Sequence, residues 1–408
     1  MRILYVTGSL PFGPTEQFLI AEAQELLRRG QDLLIVPRSP DGNVVNQDAR
    51  DLQANTLSTG LWSPSVVATA AVMALRHPLR FLKALGILTL SPRVEVWWKN
   101  AVVLPKALWL ARQAERWRAD HIHAHWASTM ATMAWIASEW SGIPWSFTAH
   151  RGDIVGDNLL AAKSRSCALA RYISESGMAM AQQRGADVDP PRALVIHMGV
   201  PVPPLPSAAG PPREVPILLC PANLLPVKGH RYLLEAMCLL RSRGVTCCLQ
   251  IAGGGELRSS LEAMVERLAL QDTVTFRGYV PHNEILEAYG NGGVDLVVLP
   301  SVDLGDDLHE GIPVCLMEAM AHGIPVVSTT TGGIPELLHD GAGVLVPPQD
   351  PAALADAIES LVRDPLLRRQ IGQASRRRVI EQFSLENVVS RLLACLETSR
   401  RRPDPGTS

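Results

Sequence analysis

The chain has 408 residues, 47% of them hydrophobic, and a formal net charge of −2. That length exceeds a single hydrophobic core and predicts two domains of about 200 residues each. The apolar content excludes a disordered chain, and the near-neutral charge excludes a general nucleic-acid binder, which needs a basic surface.

The opening residues, Met-Arg-Ile-Leu-Tyr-Val-Thr-Gly, read as a strand running into a loop and not as a signal peptide, so a cytoplasmic protein is expected. Residues 3–7 form a short apolar run of the kind buried in parallel sheets. A Gly/Pro loop follows over residues 8–14, then a helical pattern over 15–29 closed by Gly30, then a strand over 33–36. Strand, glycine loop, helix and strand together open a doubly wound sheet. The pattern recurs at 121–125, 145–148 and 172–174. The apolar stretch near residues 61–75 contains Pro64 and is shorter than the ~20 residues a membrane span requires.

All nine tryptophans lie between Trp62 and Trp145. Residues 62–118 carry nine basic side chains against two acidic ones, Glu95 and Glu115. Basic groups with Trp97, Trp98 and Trp109 suit an interfacial surface, so this region is expected to make peripheral contact with an anionic membrane. An alternative is an ordinary domain core with a solvated basic face. His121, His123 and His125 alternate along one strand and therefore share a face.

Seven prolines between Pro201 and Pro216, with Ser207 and Gly210, form a segment that enters neither helix nor sheet, a semi-rigid linker over 201–216. A second set of strands follows at 217–220, 248–252, 274–276, 296–299, 326–328 and 343–346, with helices between. The expected domains are thus 1–200 and 217–384, with a final segment at 385–408. Residues 1–200 hold 20 basic and 16 acidic side chains and the remainder 18 and 24, so the charge is uneven between the halves. The seven cysteines show no paired spacing and no Cys-x-x-Cys, indicating neither disulfides nor zinc.

Residues 310–336 carry the densest functional pattern. Glu310 and Glu318 bracket Pro313, which suits a first helical position because its φ is pre-set and its missing N–H costs nothing there. The amides of Val314, Cys315 and Leu316 would then be free donors at the positive end of a helix dipole, a seat for a diphosphate. One carboxylate can face a sugar and the other a ribose. Gly332, Gly333, Pro335 and Glu336 follow at fixed distance.

This run resembles the Glu-x7-Glu signature and the Gly-Gly-x-Pro-Glu turn of family 4 retaining glycosyltransferases, most closely the exopolysaccharide and colanic-acid branch. The resemblance covers residues 1 to about 383. It implies an α/β chain of GT-B fold, two Rossmann-like doubly wound parallel-sheet domains facing a cleft, with the last helix (385–398) crossing back onto the first domain. It also implies transfer of a hexose-type sugar from a UDP- or GDP-sugar to a glycan or lipid-linked acceptor, with no cofactor, no metal and no nucleic acid. Glu310 would orient the sugar, Glu318 the ribose, and Lys228, followed by Gly229, the departing diphosphate. Asn223 stands where the family usually has an arginine, so one cation is missing, and Arg151 is a candidate replacement. Gly311, with Gly278 and Val280 of the Phe-Arg-Gly-Tyr-Val stretch, would border the nucleotide. His150 of Ser-Phe-Thr-Ala-His-Arg-Gly-Asp would reach the cleft; His125, Arg151 and Asp153 would lie on the acceptor side. Gly8, Gly13 and Glu16 resemble the family's amino-terminal loop, whose amides close over phosphate or acceptor. Gly253-Gly254-Gly255 lacks a dinucleotide spacing and is expected to be a structural turn. Two other readings keep the fold: a nucleotide-sugar-binding partner with impaired catalysis, motivated by Asn223, and a nucleotide-sugar 2-epimerase.

Overall fold

The computed structural model describes residues 1–13, 16–44, 47–91, 93–204, 213–305 and 309–400. Two compact units result: residues 1–197 with 388–408, and residues 198–387. The expected linker falls partly at 205–212, outside the described residues.

The first unit is built on six parallel strands: β1 (Arg2–Thr7), β2 (Asp32–Pro37), β3 (His121–His125), β4 (Trp145–Ala149), β5 (Leu169–Tyr172) and β6 (Ala193–Val195). Their order is β2-β1-β3-β4-β5-β6, the doubly wound arrangement with its reversal between β1 and β3. β3, β4 and β5 are buried along their whole length, in keeping with their apolar or neutral-polar residues, Arg171 on β5 excepted. The strand expected at 172–174 instead ends at Tyr172. Ser174 caps the next helix, Glu175–Gln183, by accepting the Gly177 amide. β6, only three residues long, gave no periodic signal. The helix expected from residue 15 begins at Phe18; Glu16 is engaged elsewhere, as described below, and Thr15 is outside the described residues.

The second unit holds β7 (Ile217–Pro221), β8 (Cys248–Ala252), β9 (Val274–Gly278), β10 (Leu296–Leu299), β11 (Val326–Thr329) and β12 (Val344–Val346), in the order β12-β11-β10-β7-β8-β9, again all parallel. The helix Pro351–Arg363 starts where its sequence says, with Asp350 accepting the amides of Ala352 and Ala353. The last helix, Leu385–Arg400, passes into the first unit at Val388, where Arg391 donates to the Val195 carbonyl and Arg29 to Ser390.

The first unit buries an ion pair at its centre. Arg171 on β5 donates to Glu22 at 2.8 Å and to the carbonyls of Ile196 and His197 at 2.9 and 2.6 Å. Both side chains are essentially inaccessible. Burial opposes the Glu22 charge, but Arg171 and the Tyr5 hydroxyl outweigh it and hold the carboxyl below its ordinary range. Removing one partner strands the other, so Arg171→Met should destabilise the first unit by about 3–5 kcal/mol. Urea unfolding followed by circular dichroism measures this; a loss below about 1 kcal/mol would contradict a pair of this kind.

Candidate functional site

In the second unit, glycines decide where the acidic run sits. Gly332 has φ +56°, and a Cβ there would lie 1.9 Å from the Glu310 carbonyl oxygen. A Cβ on Gly333 would meet Gly311 and Ile312 at about 3.0 Å or less. The Gly-Gly turn after β11 is therefore the floor on which Glu310-Gly311 rests. Gly229, Gly253 and Gly255 do the same for the loop after β7. A Cβ on Gly253 would be 2.1 Å from the Ala222 carbonyl oxygen, and one on Gly255 2.6 Å from that of Leu224. The triple glycine is accordingly a packing turn, and it carries the exposed Asn223 between its two contacts.

On this floor Lys228 meets Glu310, Nζ to Oε1, at 2.5 Å, with both side chains mostly buried. Burial works against the ammonium, yet the adjacent Glu310 carboxylate more than offsets it and raises the lysine above its usual value. The helix Val314–Ala321 begins directly after, with Pro313 as its cap residue and not its first helical residue. The Leu316 amide is 3.2 Å from the Pro313 carbonyl, so it is already engaged, a correction to the expected trio of free amides. Val314 and Cys315 occupy the first turn and are half-buried. Burial pushes the Cys315 thiol up to about 12, which makes it a packing group and not a nucleophile.

Glu318, one turn further, is mostly buried and accepts from His282 Nε2 at 2.7 Å. His282 opens the helix His282–Gly290, just past Gly278 and Val280 at the end of β9. It was not singled out from the sequence. No periodic or motif signal marks a histidine at a helix start; only the fold brings it to Glu318.

The amino-terminal loop departs from expectation. The amides of Gly8, Ser9 and Leu10 donate to the Glu16 carboxylate at 2.9, 2.6 and 2.7 Å. An internal carboxylate thus fills the nest that was expected to receive a phosphate. Gly13, with φ +70°, donates to the Asn43 carbonyl. Trp126 Nε1 also donates to Glu16. Trp126 follows β3 with φ +115°, a strained conformation for an L residue that costs about 1–3 kcal/mol.

His125 and His150 also differ from expectation. His125 is fully buried, so it does not line an open surface. Its Nδ1 is 3.0 Å from the Tyr5 hydroxyl, which donates to ionised Glu22 at 2.7 Å, so Nδ1 must carry the proton and Tyr5 must accept it. Burial keeps the ring neutral, leaving Nε2 a bare acceptor. His150 Nε2, 2.8 Å away, must then donate. The Asp153 amide donates to the His150 carbonyl at 3.0 Å, while the Asp153 carboxylate takes the His150 amide at 3.1 Å, closing a capping box beside the imidazole. The ring N–H of His150 is thus engaged by His125, and burial pushes the ring down to about 3. It is not free to donate to a sugar. Burial raises the Asp153 carboxyl to about 6, against the opposing His150 and Ala127 amides. His121 and His123 share the Ser146 hydroxyl at 2.7 Å each, and burial lowers both to about 3. Among the described residues no group of three His, Cys, Asp or Glu is arranged to hold a metal. Arg151 is the first residue of the helix Arg151–Gly156. A cavity of about 620 Å³ in the first unit is lined by Arg38, Trp98, Lys99, Ser128, Thr129 and Asp153 among others.

His282 supplies a direct test of the Glu318 contact. The Glu318 hydrogen bond raises its pKa above the ordinary 6.5, so the charged pair exists below the shifted value and is lost as pH rises through it. An NMR titration of His282 should show a raised midpoint that returns toward 6.5 in Glu318→Gln; an unchanged midpoint would contradict the contact.

Residues 205–378 match the family described as Glycosyl transferases group 1. The protein named WcaL of Salmonella typhimurium, described as a colanic acid biosynthesis glycosyltransferase, is 35% identical over 194 residues, 47% of each chain. Amylovoran biosynthesis glycosyltransferase AmsK of Erwinia amylovora is 35% identical over 181 residues, 44% of each. The chain thus spans about half the length of the curated relatives it matches. A glycosyltransferase from Rickettsia africae ESF-5 superposes with a TM-score of 0.72 at 19% identity, over 98% of this chain and 99% of the other. Anabaena Alr3699/HepE in complex with UDP gives 0.71 at 18%, over 98% and 100%. Residues 205–378 are therefore a glycosyl transferases group 1 domain, set in a chain of the GT-B fold.

Proposed function

We propose that this protein is a retaining glycosyltransferase that moves a hexose-type sugar from a UDP- or GDP-sugar to a hydroxyl of a glycan or lipid-linked saccharide, in exopolysaccharide or cell-surface polysaccharide synthesis. The Lys228–Glu310 contact, placed at the start of the helix Val314–Ala321, carries this reading. A departing diphosphate would take Lys228 from Glu310 and rest on the Val314 and Cys315 amides, as preorganised donors stabilise developing charge. Glu310 would then be released to hold the sugar, and Glu318 the ribose. The leaving phosphate would accept the acceptor's proton, so that no carboxylate need act as a nucleophile. UDP in the HepE complex and the GDP-mannose-dependent mannosyltransferase of Mycolicibacterium smegmatis, 30% identical over 187 residues, support a nucleotide diphosphate donor.

Glu310→Ala and Lys228→Ala should each lower donor turnover by roughly 10²–10³, the scale for removing one electrostatic contact. Slow hydrolysis of UDP- or GDP-sugars by the purified protein measures this. Near-normal hydrolysis in both variants would refute the assignment. Nucleotide binding without any turnover in the wild type would favour the impaired partner, and release of an epimer without acceptor would favour the epimerase.

The acceptor side supports a cytoplasmic enzyme resting on the inner membrane face. No described helix is long and apolar enough to cross a membrane. Leu75, Leu79, Leu82, Val94 and Trp98 are exposed beside Arg76, Arg80, Lys83, Arg93 and Lys99, matching an anionic bilayer in both polarity and charge. Trp109 is not part of this surface, because it is buried, and Trp97 is half-buried edge-on to Trp98. Leu79→Ser with Leu82→Ser should weaken co-sedimentation with phosphatidylglycerol vesicles roughly tenfold. No preference of the wild type for anionic vesicles would remove this contact.

A further inference from the structure

Trp126 has no place in the donor chemistry, yet several elements of the first unit converge on it. Its backbone sits at φ +115° one residue past β3, at the strand end where doubly wound folds place their ligands. Its own N–H donates to the Thr148 carbonyl at 3.0 Å. The next two carbonyls, of Ala127 and Ser128, are gripped by the buried Lys163 ammonium at 2.8 and 2.7 Å. Strain held by this many contacts points to use of the side chain.

The indole is fixed as firmly. Its N–H donates to Glu16, and that carboxylate is in turn locked by the Gly8, Ser9 and Leu10 amides. A Cβ at Gly8 would lie 2.7 Å from Glu16 Oε1, so a side chain there would have to push the carboxylate off its amides. The rings of Trp126 and His150 lie 4.4 Å apart at 33°, and Phe18 meets the indole edge-on at 5.9 Å. All three residues are partly exposed. The N–H donors of the cluster are turned inward, the indole N–H to Glu16 and the His150 Nε2–H to His125. What remains for a ligand is mainly a patch of ring faces and C–H edges without a free N–H donor.

We propose that Trp126, backed by His150 and Phe18, is a carbohydrate-stacking platform that receives the C–H face of a pyranose ring. A pyranose presents an apolar face and a rim of hydroxyls, and an aromatic ring whose polar edge is occupied complements that face without competing for the hydroxyls. Polar partners for the rim are close along the chain. Ser128, Thr129, Gly152 and Asp153, two or three residues past Trp126 and His150, line the cavity of the first unit together with Arg38. The inference deepens the glycosyltransferase reading by assigning the acceptor sugar to this unit, and it gives the loop glycine, Glu16 and the two histidines one shared role as positioning residues.

The test uses the full chain and simple probes, methyl α-D-glucopyranoside and methyl α-D-galactopyranoside, by saturation-transfer NMR. At least one should show transfer concentrated on the ring C–H protons of one face. Trp126→Ala should lose about tenfold in affinity, ~1.4 kcal/mol, whereas Trp126→Phe should keep most of it. Thermal shift by UDP and GDP should be unchanged in both variants; that control keeps the donor site separate, because absence of nucleotide binding in the wild type would sink the transferase reading instead. Wild-type-like sugar binding in Trp126→Ala, or no pyranoside signal in a wild type that binds nucleotide, would overturn the platform. Should Trp126→Ala fail to fold, 5-fluorotryptophan labelling decides the matter. The resonance missing from Trp126→Phe must move when the pyranoside is added, and a stationary resonance overturns the proposal.

Discussion

A side chain at position 332 would collide with the carbonyl oxygen of Glu310, and the rest of the second unit's site follows from that prohibition. With the position bare, the turn after β11 lies directly under Glu310-Gly311. This holds a carboxylate within reach of Lys228 and starts the helix Val314–Ala321 beside them. The positive glycine at 229 and the pair at 253 and 255 apply the same device to the loop carrying Asn223 and Lys228. Charge is thereby placed by backbone contact, which is stiffer than a long flexible side chain could provide alone.

The first unit uses the opposite device. Its centre is a buried run of polar groups, Arg171, Glu22, Tyr5, His125 and His150, each determining the hydrogen-bond role of the next. One ionised carboxylate at one end fixes the tautomer of two imidazoles beyond it. A network of this kind is favourable only when every member is satisfied. Satisfaction here has a functional price, because it ties the N–H of each histidine to a neighbour inside the unit, with His125 fully buried and only His150 partly exposed. The same holds for the Glu16 nest: an amide cluster shaped for an anion is closed by the chain's own carboxylate.

The two parallel sheets were legible because buried parallel strands are short apolar runs separated by helices, and most of the expected strands sit within a residue or two of those observed. The Glu310–Glu336 run was legible as well, since glycine and proline at fixed spacing have a steric cause. Where reading failed, the cause was tertiary. The expected strand at 172–174 was shifted by the cap at Ser174, and β6 is too short to leave a pattern. His125 looked like a strand-end ligand, but the Tyr5 and Glu22 that engage it come from distant segments. Glu22 did carry a signal: it shares the buried helix face with Leu19, Ala23 and Leu26, an acidic residue where an apolar one is usual. Trp126 carried one too, as a tryptophan directly following a strand, but neither φ nor ring environment can be read from residue type.

Asn223 gains a physical meaning from this geometry. With an amide there in place of a cation, the proposed diphosphate seat relies on the Lys228 ammonium, and that ammonium is already paired with Glu310 at 2.5 Å. A diphosphate arriving in the proposed reaction must compete with a carboxylate for it. The competition favours the state in which most charge has moved onto the phosphates, because the Glu310 contact is a fixed cost while attraction to the ammonium grows as the sugar departs. A second cation would instead bind substrate and departing diphosphate more evenly. In the proposed reaction the pre-paired lysine, together with the Val314 and Cys315 amides, would therefore favour the leaving group over the intact donor, which would reconcile Asn223 with turnover.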